Sequence, residues 1–355
     1  MALREIYLAG PLLAPRGAMA SQWILRKGRG GTGGRGFRYE TAKGTPVTAA
    51  VRARIAAMAI PPAWEDVHVA VSVRSAVQAW GIDAKGRKQY RYHARAVERG
   101  TLRKYYRVRK LAHDLPAIRA ALRRDFRRRG ASRARVSAAV IRLIGEKFFR
   151  VGSERYAKEN QTFGISTLRK SHVRVLGTRT IFTYIGKLSR PQRHVVHDPE
   201  LAAFVKVMRR APGTRLFRYR SSDGWHDLTS RDVNAYLHET LGVPYTAKDF
   251  RTWGGTLAMA TVLEEIGPPA NEREAKRNVN TALRIVSADL GNTPAICRAS
   301  YVHPLVIARY LDDGVTIRTP GGKRPASDDV HAPEESALIA FLDEYFPERR
   351  RKGRE

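Results

Sequence analysis

The 355-residue sequence predicts an α+β protein in which a small, mainly β domain precedes a larger, mainly α domain. Two observations carry this prediction. Within residues 36–96, VHVAVSV carries apolar residues at every second position, as in a half-buried strand. From about residue 97, apolar residues instead recur every third or fourth position, as on the buried face of a helix. The length is sufficient for two domains of ordinary size.

The net charge of +32, from 65 Lys and Arg against 33 Asp and Glu, indicates an anionic partner, because self-repulsion of this size is otherwise unfavourable. Nucleic acid is the leading candidate, since phosphates attract basic residues at any base sequence. An anionic membrane surface is the alternative, although no apolar run is long enough to cross a bilayer. The single cysteine, Cys297, excludes an internal disulfide and indicates a reducing compartment.

The two ends of the chain are expected to lie outside the domains. Residues 1–35 are predicted to form a flexible, basic tail, and a short apolar run near the start is interrupted by prolines, unlike a signal peptide. The stretch 27–36, KGRGGTGGRG, is not a phosphate-binding loop, because no Gly-Lys-Ser/Thr ends it, so nothing indicates ATP use. Residues 319–355 are predicted to form a linker, a last amphipathic helix at 333–346 and a basic tail.

The mainly β domain is predicted to cover residues 36–96. In VHVAVSV, residues 67–73, valines occupy every second position. A glycine turn then leads into a strand on which Tyr90 and Tyr92 share one face, with Gln89 on the other. Aromatic rings beside basic residues suit a nucleic-acid groove. A half-buried strand with solvated charges explains the pattern equally well.

The mainly α domain is predicted to cover residues 97–318. Basic character is concentrated near its start, where residues 91–150 hold 19 Lys and Arg against 4 Asp and Glu. Helical spacing of apolar residues predicts a core helix that Ser132 caps and Gly152 ends. Arg150 is therefore expected in the last turn of this helix, beside two phenylalanines.

Three further elements are predicted to carry basic or aromatic residues. Residues 172–190 predict a hairpin in which the valines of HVRV pair with Ile181 and Tyr184, and Lys187 lies near its end. Residues 247–267 predict a helix that carries two basic residues three positions apart, on one face near its start. A later helix is expected to begin at a proline soon after the stretch GNTPAICRASY.

Four residues on four separate elements suggest attack on a phosphodiester: Arg150, Lys187, Arg251 and Tyr301. A tyrosine phenol has a pKa of about 10, and nearby cations favour its ionised, nucleophilic form. Two arginines offer paired donors to the non-bridging oxygens, and a lysine can protonate the leaving sugar oxygen. This chemistry requires no metal, and no cluster has metal-ligand spacing. Taken singly, each residue has an ordinary interpretation, as a surface ion pair or a packed aromatic.

Seven motifs carry a resemblance to a known family, in order along residues 36–316: FRYETAKGTPV, IPPAWEDV, GIDAKGRKQYRYH, FFRVGSERYAKENQTFGISTLRKSHV, IGKLSR, KDFRTWGGT and GNTPAICRASYVHP. The chain resembles the type IB DNA topoisomerases of the small poxvirus and bacterial kind. The resemblance implies a C-shaped clamp around duplex DNA, with a catalytic domain of the tyrosine recombinase/topoisomerase IB type. It implies ATP-independent relaxation of supercoiled DNA through a 3′-phosphotyrosyl intermediate, with religation by the freed 5′-hydroxyl.

The resemblance also implies roles for individual residues. Each role is carried over only to a position that matches a family motif. The roles are Tyr301 as the nucleophile, Arg150 and Arg251 as the phosphate-binding arginines, Lys187 as the general acid, Lys248 as an assisting lysine, and Gln89, Tyr90 and Tyr92 as DNA contacts of the N-terminal domain.

At one position the chain departs from the family, which has a histidine nine residues before the tyrosine. Asn292 stands there in this sequence. An amide N–H also donates to an anionic oxygen, but it carries no charge and exchanges no proton at neutral pH. We therefore expect Asn292 to act as a phosphate-oxygen donor. His303 is expected to begin the following helix rather than to replace that histidine, and Cys297 is given no chemical role.

Two alternatives remain from the sequence. Tyrosine recombinases use the same tyrosyl-phosphate step, but they have His-x-x-Arg where this chain has KDFR, and they lack the β-type N-terminal motifs. A catalytically silent, basic DNA-binding protein would not need the four residues together. The expected partner is double-stranded DNA, with no cofactor, no membrane and a monomer sufficient for the mechanism. In a bacterium, the protein is expected in the cytoplasm, associated with the nucleoid.

Overall fold

The computed structural model describes residues 23–28, 36–321 and 330–346, and the chain divides into two compact units, Met1–Lys104 and Tyr105–Glu355. As predicted, a small unit with a β-sheet precedes a larger, mainly helical one. The division falls inside a long helix and not at residue 96. Most of the predicted N-terminal tail and the whole of the C-terminal basic tail lie outside the described residues.

The N-terminal unit is an antiparallel five-stranded sheet with one short helix. Its elements are β1 (Trp23–Lys27), β2 (Arg38–Thr41), α1 (Ala49–Ala57), β3 (Glu65–Ala70), β4 (Val77–Ile82) and β5 (Lys88–Tyr92). The strand order is β2-β1-β3-β4-β5, with every neighbouring pair antiparallel. The apolar residues of the sheet and α1 form a small core that includes Ile24, Ile55, Val67, Val69 and Ala79.

Residues 23–27 belong to the sheet, so the prediction of a flexible tail over residues 1–35 is wrong for this segment. Ile24 is buried, and β1 pairs with β2 on one side and β3 on the other. Gly28 has a φ of 89°, and a Cβ there would lie 2.9 Å from the carbonyl oxygen of Gly36. The glycines thus permit close approach at the ends of a hairpin connection. The composition of residues 23–27 does not indicate this pairing, because it depends on β2 and β3, which lie further along the chain.

Two other details of the N-terminal unit differ from the predictions. The helix α1, capped by the hydroxyl of Thr48, lies inside the segment expected to be β. β3 ends at Ala70, which leaves Val71 and Val73 exposed although they continue the alternation. The predicted alternation along β5 is confirmed, because residues 88, 90 and 92 are exposed and residues 89 and 91 are half-buried.

The second unit contains most of the helices. The chain enters it through α2 (Ala94–Phe126), which begins in the N-terminal unit and continues across the boundary. The elements that follow are α3 (Arg133–Lys147), α4 (Glu154–Glu159), β6 (Val173–Leu176), β7 (Arg179–Gly186), β8 (Arg190–His197), α5 (Pro199–Arg210), β9 (Arg218–Ser221), β10 (Gly224–Asp227), α6 (Ser230–Ala235), α7 (Ala247–Ile266), α8 (Glu272–Leu290), α9 (Pro294–Ser300), α10 (Pro304–Asp313) and α11 (Pro333–Tyr345). α3 lies at the centre of the core, with residues 136–141 buried without interruption.

The C-terminal end of α3 corrects the predicted position of Arg150. Ser132 caps the start as predicted, accepting from the backbone N–H of Arg135 at 3.3 Å. The helix ends at Lys147, because Phe148 adopts a left-handed conformation with φ 54°. Arg150 therefore lies beyond the helix, in the irregular segment before α4, and not in its last turn.

The predicted hairpin at 172–190 is part of a three-stranded sheet in the order β6-β7-β8. The predicted cross-strand partners are wrong, because Val173 faces Phe182 and Val175 faces Thr180. β8, which the sequence did not predict, pairs with the whole length of β7. Lys187 therefore lies in the turn between two paired strands.

The later helices follow the predictions closely. α7 covers residues 247–266, and α10 begins at Pro304 with Nδ1 of His303 accepting from the N–H of Leu305 at 3.2 Å. This contact confirms the expectation that His303 begins that helix. α11 ends at Tyr345, one residue before the predicted end.

One buried carboxylate joins α11 to the rest of its unit. Glu335 is 4% exposed and accepts from Arg119 of α2 in a bidentate contact, at 2.7 and 2.8 Å. Burial raises the pKa of Glu335, but the hydrogen bonds and charge of Arg119 outweigh burial and hold it below its ordinary value of 4.5. The charged pair thus stabilises the fold above that pH, and its contribution is lost as pH falls through the lowered pKa.

We predict that Arg119→Ala lowers the free energy of unfolding by about 3–5 kcal/mol at pH 7, since it leaves a buried carboxylate unpaired. The difference from wild type should narrow below pH 4.5, as Glu335 becomes protonated. Denaturant unfolding at both pH values measures this. Lys276→Ala, which breaks an exposed pair with Glu272, is the control and should cost less than about 1 kcal/mol. Equal losses in the two variants would contradict the prediction.

Candidate active site

Three arginines from different elements converge on the C-terminal end of α8. They donate to three successive backbone carbonyls: Arg251 to Leu290 at 3.1 Å, Arg150 to Gly291 at 2.8 Å, and Arg190 to Asn292 at 3.0 Å. The carbonyls at a helix C-terminus lack partners within the helix and form the negative end of its dipole. The left-handed conformation of Gly291, φ 63°, ends the helix and turns the chain there. The end of α8 therefore stabilises a cluster of positive charge.

Arg251 is the most buried member of this cluster, with 3% of its surface exposed. Its Cζ lies 5.2 Å from the centroid of the Tyr301 ring. Burial lowers the pKa of Arg251 to about 10, the Tyr301 phenol opposes this, and the charge of Arg150 adds to it. The guanidinium therefore stays charged at neutral pH. Its Nε and Nη1 are buried without a hydrogen-bond partner among the described residues.

Asn292 brings a second unsatisfied group to the same place. Its side chain is 6% exposed, and neither Nδ2 nor Oδ1 has a partner within the described part of the chain. Its backbone N–H donates to Ser287 at 2.9 Å, which fixes the residue at the end of α8. A buried polar group without a partner costs about 1–3 kcal/mol. The donors of Asn292 and Arg251 are thus arranged for a polar, anionic molecule that binds from outside.

Tyr301 is held in place mainly through its backbone. It is the first residue after α9, and Oγ1 of Thr256 lies 3.4 Å from its carbonyl oxygen. The next carbonyl, that of Val302, accepts from the buried hydroxyl of Tyr105 at 2.7 Å. α7 comes close to this segment at Gly255, where a Cβ would lie 2.8 Å from the carbonyl oxygen of Tyr301. α7 thus carries Arg251 and also sets the position of the tyrosine.

The segment that carries Arg150 also depends on α7. Phe148 packs so tightly on Gly254 that a Cβ there would lie 2.1 Å from its ring. Beyond this turn, the carbonyl of Arg150 accepts from the N–H of Ile165 at 2.7 Å. Neither Arg150 nor Arg251 forms an ion pair with a carboxylate among the described residues.

The two predicted lysines are exposed. Lys187 lies in the turn after β7, connected to the arginine cluster through β8, which begins at Arg190. Lys248 lies in the first turn of α7 and does not share the buried surroundings of Arg251, three residues further on. The structure thus brings together the arginines, Asn292 and Tyr301, and leaves both lysines at the surface.

The three residues predicted to contact DNA from the N-terminal unit lie on β5. Tyr90 and Tyr92 are exposed and stack on each other with ring centroids 5.8 Å apart. Gln89 lies on the opposite face, where its Nε2 donates to Asp83 at 2.9 Å. The two tyrosines are accessible to a ligand, and the Gln89 amide is engaged within its own unit.

Sequence reasoning missed two further residues beside the arginines. The hydroxyl of Tyr184 lies 3.3 Å from Nε2 of His194 in the β7–β8 hairpin. Burial raises the pKa of Tyr184, and the charges of Arg251 and Arg150 oppose it. Burial lowers the pKa of His194 to about 4, with a further lowering by Arg251, so the imidazole is neutral at physiological pH. The alternation along β7 indicates that Tyr184 is buried, but only the fold shows what it faces.

Cys297 is fully buried in α9, and burial raises the pKa of its thiol to about 11, which makes it unreactive. Within the described ranges, no three His, Cys, Asp or Glu side chains are placed to hold a metal ion together. A search of the same residues finds no helix with the length and apolar character needed to span a bilayer.

Comparison with known proteins places this geometry in context. Residues 93–315 match the family model for the catalytic core of eukaryotic DNA topoisomerase I, and residues 36–83 match that for the N-terminal domain of bacterial DNA topoisomerase IB. DNA topoisomerase 1B of Acanthamoeba polyphaga mimivirus is 31% identical over 268 residues, 73% of this chain and 80% of the relative. DNA topoisomerase 1B of vaccinia virus (strain Copenhagen) is 22% identical over 240 residues, 65% of this chain and 72% of the relative. DNA topoisomerase 1 beta of Arabidopsis thaliana is 26% identical over 163 residues, 46% of this chain and 17% of the relative.

We predict that Gly255→Ala displaces Tyr301, because the new methyl group meets backbone atoms that cannot move aside. The variant should lose about 1–3 kcal/mol of stability, and the amide N–H of Tyr301, now bonded to the Cys297 carbonyl at 2.9 Å, should exchange faster with solvent. Denaturant unfolding and hydrogen exchange measure the two effects.

Gly145→Ala is the matched control for this substitution. Gly145 is exposed in α3, and the nearest atom to a Cβ there is 4.0 Å away. This variant should gain about 0.5–1 kcal/mol from helix propensity. A Gly255→Ala protein as stable as the control, with unchanged exchange at Tyr301, would show that the close approach does not constrain the tyrosine.

Proposed function

This chain belongs to the type IB DNA topoisomerase family, and from that premise we propose that it relaxes supercoiled duplex DNA without ATP. It cuts one strand through a 3′-phosphotyrosyl bond, and the freed 5′-hydroxyl reseals the break. All the proposed catalytic residues come from one chain, so a monomer is sufficient.

One observation carries the proposal for the site. A buried guanidinium and a buried amide lie where three arginines meet beside a tyrosine, and two nitrogens of the one and both polar atoms of the other have no partner among the described residues. Burial of a positive charge without a counter-ion is unfavourable. A phosphodiester supplies the missing negative charge and the missing hydrogen-bond acceptors in one group. This supports a DNA phosphate as the ligand of the cluster.

In the proposed reaction, the phenol oxygen of Tyr301 attacks the phosphorus and loses its proton to water. Arg150, Arg251 and Asn292 donate to the non-bridging oxygens, whose negative charge is stabilised as the new bond forms. The bond from phosphorus to the 5′-oxygen breaks, and that oxygen takes a proton from Lys187. Religation is the reverse of these steps, and it needs no nucleotide because the phosphotyrosyl bond keeps the energy of the broken one.

Other predicted residues assist the reaction or contact DNA elsewhere. Lys248, at the start of the helix that carries Arg251, assists from the exposed edge of the site. Tyr90 and Tyr92 present an accessible aromatic surface to DNA from the N-terminal unit. Gln89 contributes on the opposite face of β5, where Asp83 already orients its amide.

A plasmid-relaxation assay with EDTA and without ATP tests the activity directly. Relaxation supports the proposal. DNA binding without relaxation would favour a silent binding protein, and products joined between two DNA molecules would favour a recombinase.

We predict that Tyr301→Phe abolishes relaxation and the covalent adduct but keeps DNA affinity within a few-fold of wild type. Phenylalanine preserves the ring that Arg251 faces at 5.2 Å and removes only the hydroxyl. Trapping the adduct in denaturing gels, together with binding titrations, measures both properties. An adduct formed by this variant would place the nucleophile at another residue.

We predict that Lys187→Ala slows cleavage by about 100-fold or more, since general acids contribute about 10²–10⁴-fold. The loss should nearly disappear when sulfur replaces the bridging 5′-oxygen, because a thiol ionises near pH 8.5 and leaves without a proton. Single-turnover cleavage of the two substrates measures the difference. Equal losses on both would remove the general-acid role from Lys187.

A further inference from the structure

The turn that carries Lys187 has an unusual backbone. The two residues after it, Leu188 and Ser189, both have positive φ angles, 61° and 54°. Non-glycine residues rarely adopt this region, and Leu188 is also exposed. The position of the turn therefore depends on contacts that the hairpin makes elsewhere.

Two contacts join the hairpin to the end of α8. Nη1 of Arg190 donates to the carbonyl oxygen of Asn292 at 3.0 Å, across 102 residues of sequence. Gln192 packs on Gly291, where a Cβ would lie 2.6 Å from its Oε1, and on Gly186, where a Cβ would lie 2.8 Å from its Cγ. Gln192 thus contacts both Gly186, which precedes Lys187, and Gly291, whose carbonyl accepts from Arg150.

We propose that Arg190 is a positioning residue for proton transfer by Lys187. Three residues after the lysine, its Cα is at most about 10 Å from that of Lys187 along the chain. Its hydrogen bond fixes the start of β8 to Asn292, whose side chain faces the phosphate in the proposed function. The hydrogen bond from Arg190 to Asn292 thus fixes the position of Lys187 relative to the phosphate. The proton on Nζ can then reach the 5′-oxygen as the bond from that oxygen to phosphorus breaks.

This inference rests on the proposed function but makes a separate claim. The proposal gives Arg190 a role through the position of Lys187 and not as a phosphate donor, a role that the proposed reaction gives to Arg150, Arg251 and Asn292. Its loss should therefore affect only the step that needs a proton, and only while Lys187 is present. A phosphate-binding arginine or a purely structural one would affect cleavage whatever the leaving group.

The test is single-turnover cleavage of a duplex oligonucleotide with either oxygen or sulfur at the bridging 5′ position. Arg190→Ala should slow the oxygen substrate by about 10- to 100-fold, because a misplacement of about 1 Å costs up to 100-fold. The sulfur substrate should be cleaved at nearly the wild-type rate. In a Lys187→Ala background, Arg190→Ala should cause no further slowing of the oxygen substrate.

Two variants serve as controls. Arg193→Ala removes the same charge from an exposed position on the same strand. This variant should cleave both substrates at nearly the wild-type rate. Arg190→Lys keeps a donor and should recover part of the lost rate on the oxygen substrate, and it replaces the alanine variant if that protein does not fold.

Specific outcomes overturn the inference. Equal slowing on both substrates, or slowing that multiplies with that of Lys187→Ala, would mean that Arg190 does not act through the lysine. Failure of the proposed function looks different, because the wild-type protein would then form no adduct with either substrate.

Discussion

Hydrogen bonding of three arginines to the last carbonyl of α8 and to the two carbonyls that follow it is the interaction on which the arrangement of the catalytic unit depends. The end of this helix receives guanidinium groups from α7, from the segment beyond α3 and from β8. Side by side, these cations repel one another, as the lowering of the pKa of Arg251 by Arg150 indicates. The helix dipole and its unpaired carbonyls offset that repulsion. Elements far apart in sequence therefore meet where the chain turns at Gly291, the residue that ends α8.

In the proposed function, a DNA phosphate completes the same arrangement. Arg251 and Asn292 have buried polar atoms without a partner in the part of the chain that the structure describes, a cost that the packing around α3 and α7 offsets. Asn292 also changes the character of the site relative to family members with histidine. An amide does not titrate, whereas a histidine changes charge near pH 6.5. The donor at this position thus keeps one charge state across the physiological pH range.

Local signals in the sequence predicted local features well. Ser132 as a cap, the alternation along β5 and the start of α10 at Pro304 each depend on a few neighbouring residues. The motifs identified Arg150, Arg251, Asn292 and Tyr301, which the structure brings together. Their environment could not be predicted from local patterns, because it is formed by contacts between residues 39 to 141 positions apart in sequence. The prediction for Arg150 was wrong for the same reason. The preceding helix, α3, ends before Phe148, which packs against Gly254 of α7.

The burial of Cys297 has a practical consequence for the study of this protein. It is the only thiol in the chain, and it lies inside the short helix that leads directly into Tyr301. A thiol-specific reagent reaches it only when that helix detaches from the core. The rate of labelling is therefore an intrinsic reporter of how often the segment bearing the proposed nucleophile opens, with and without DNA, in a protein that needs no engineered probe.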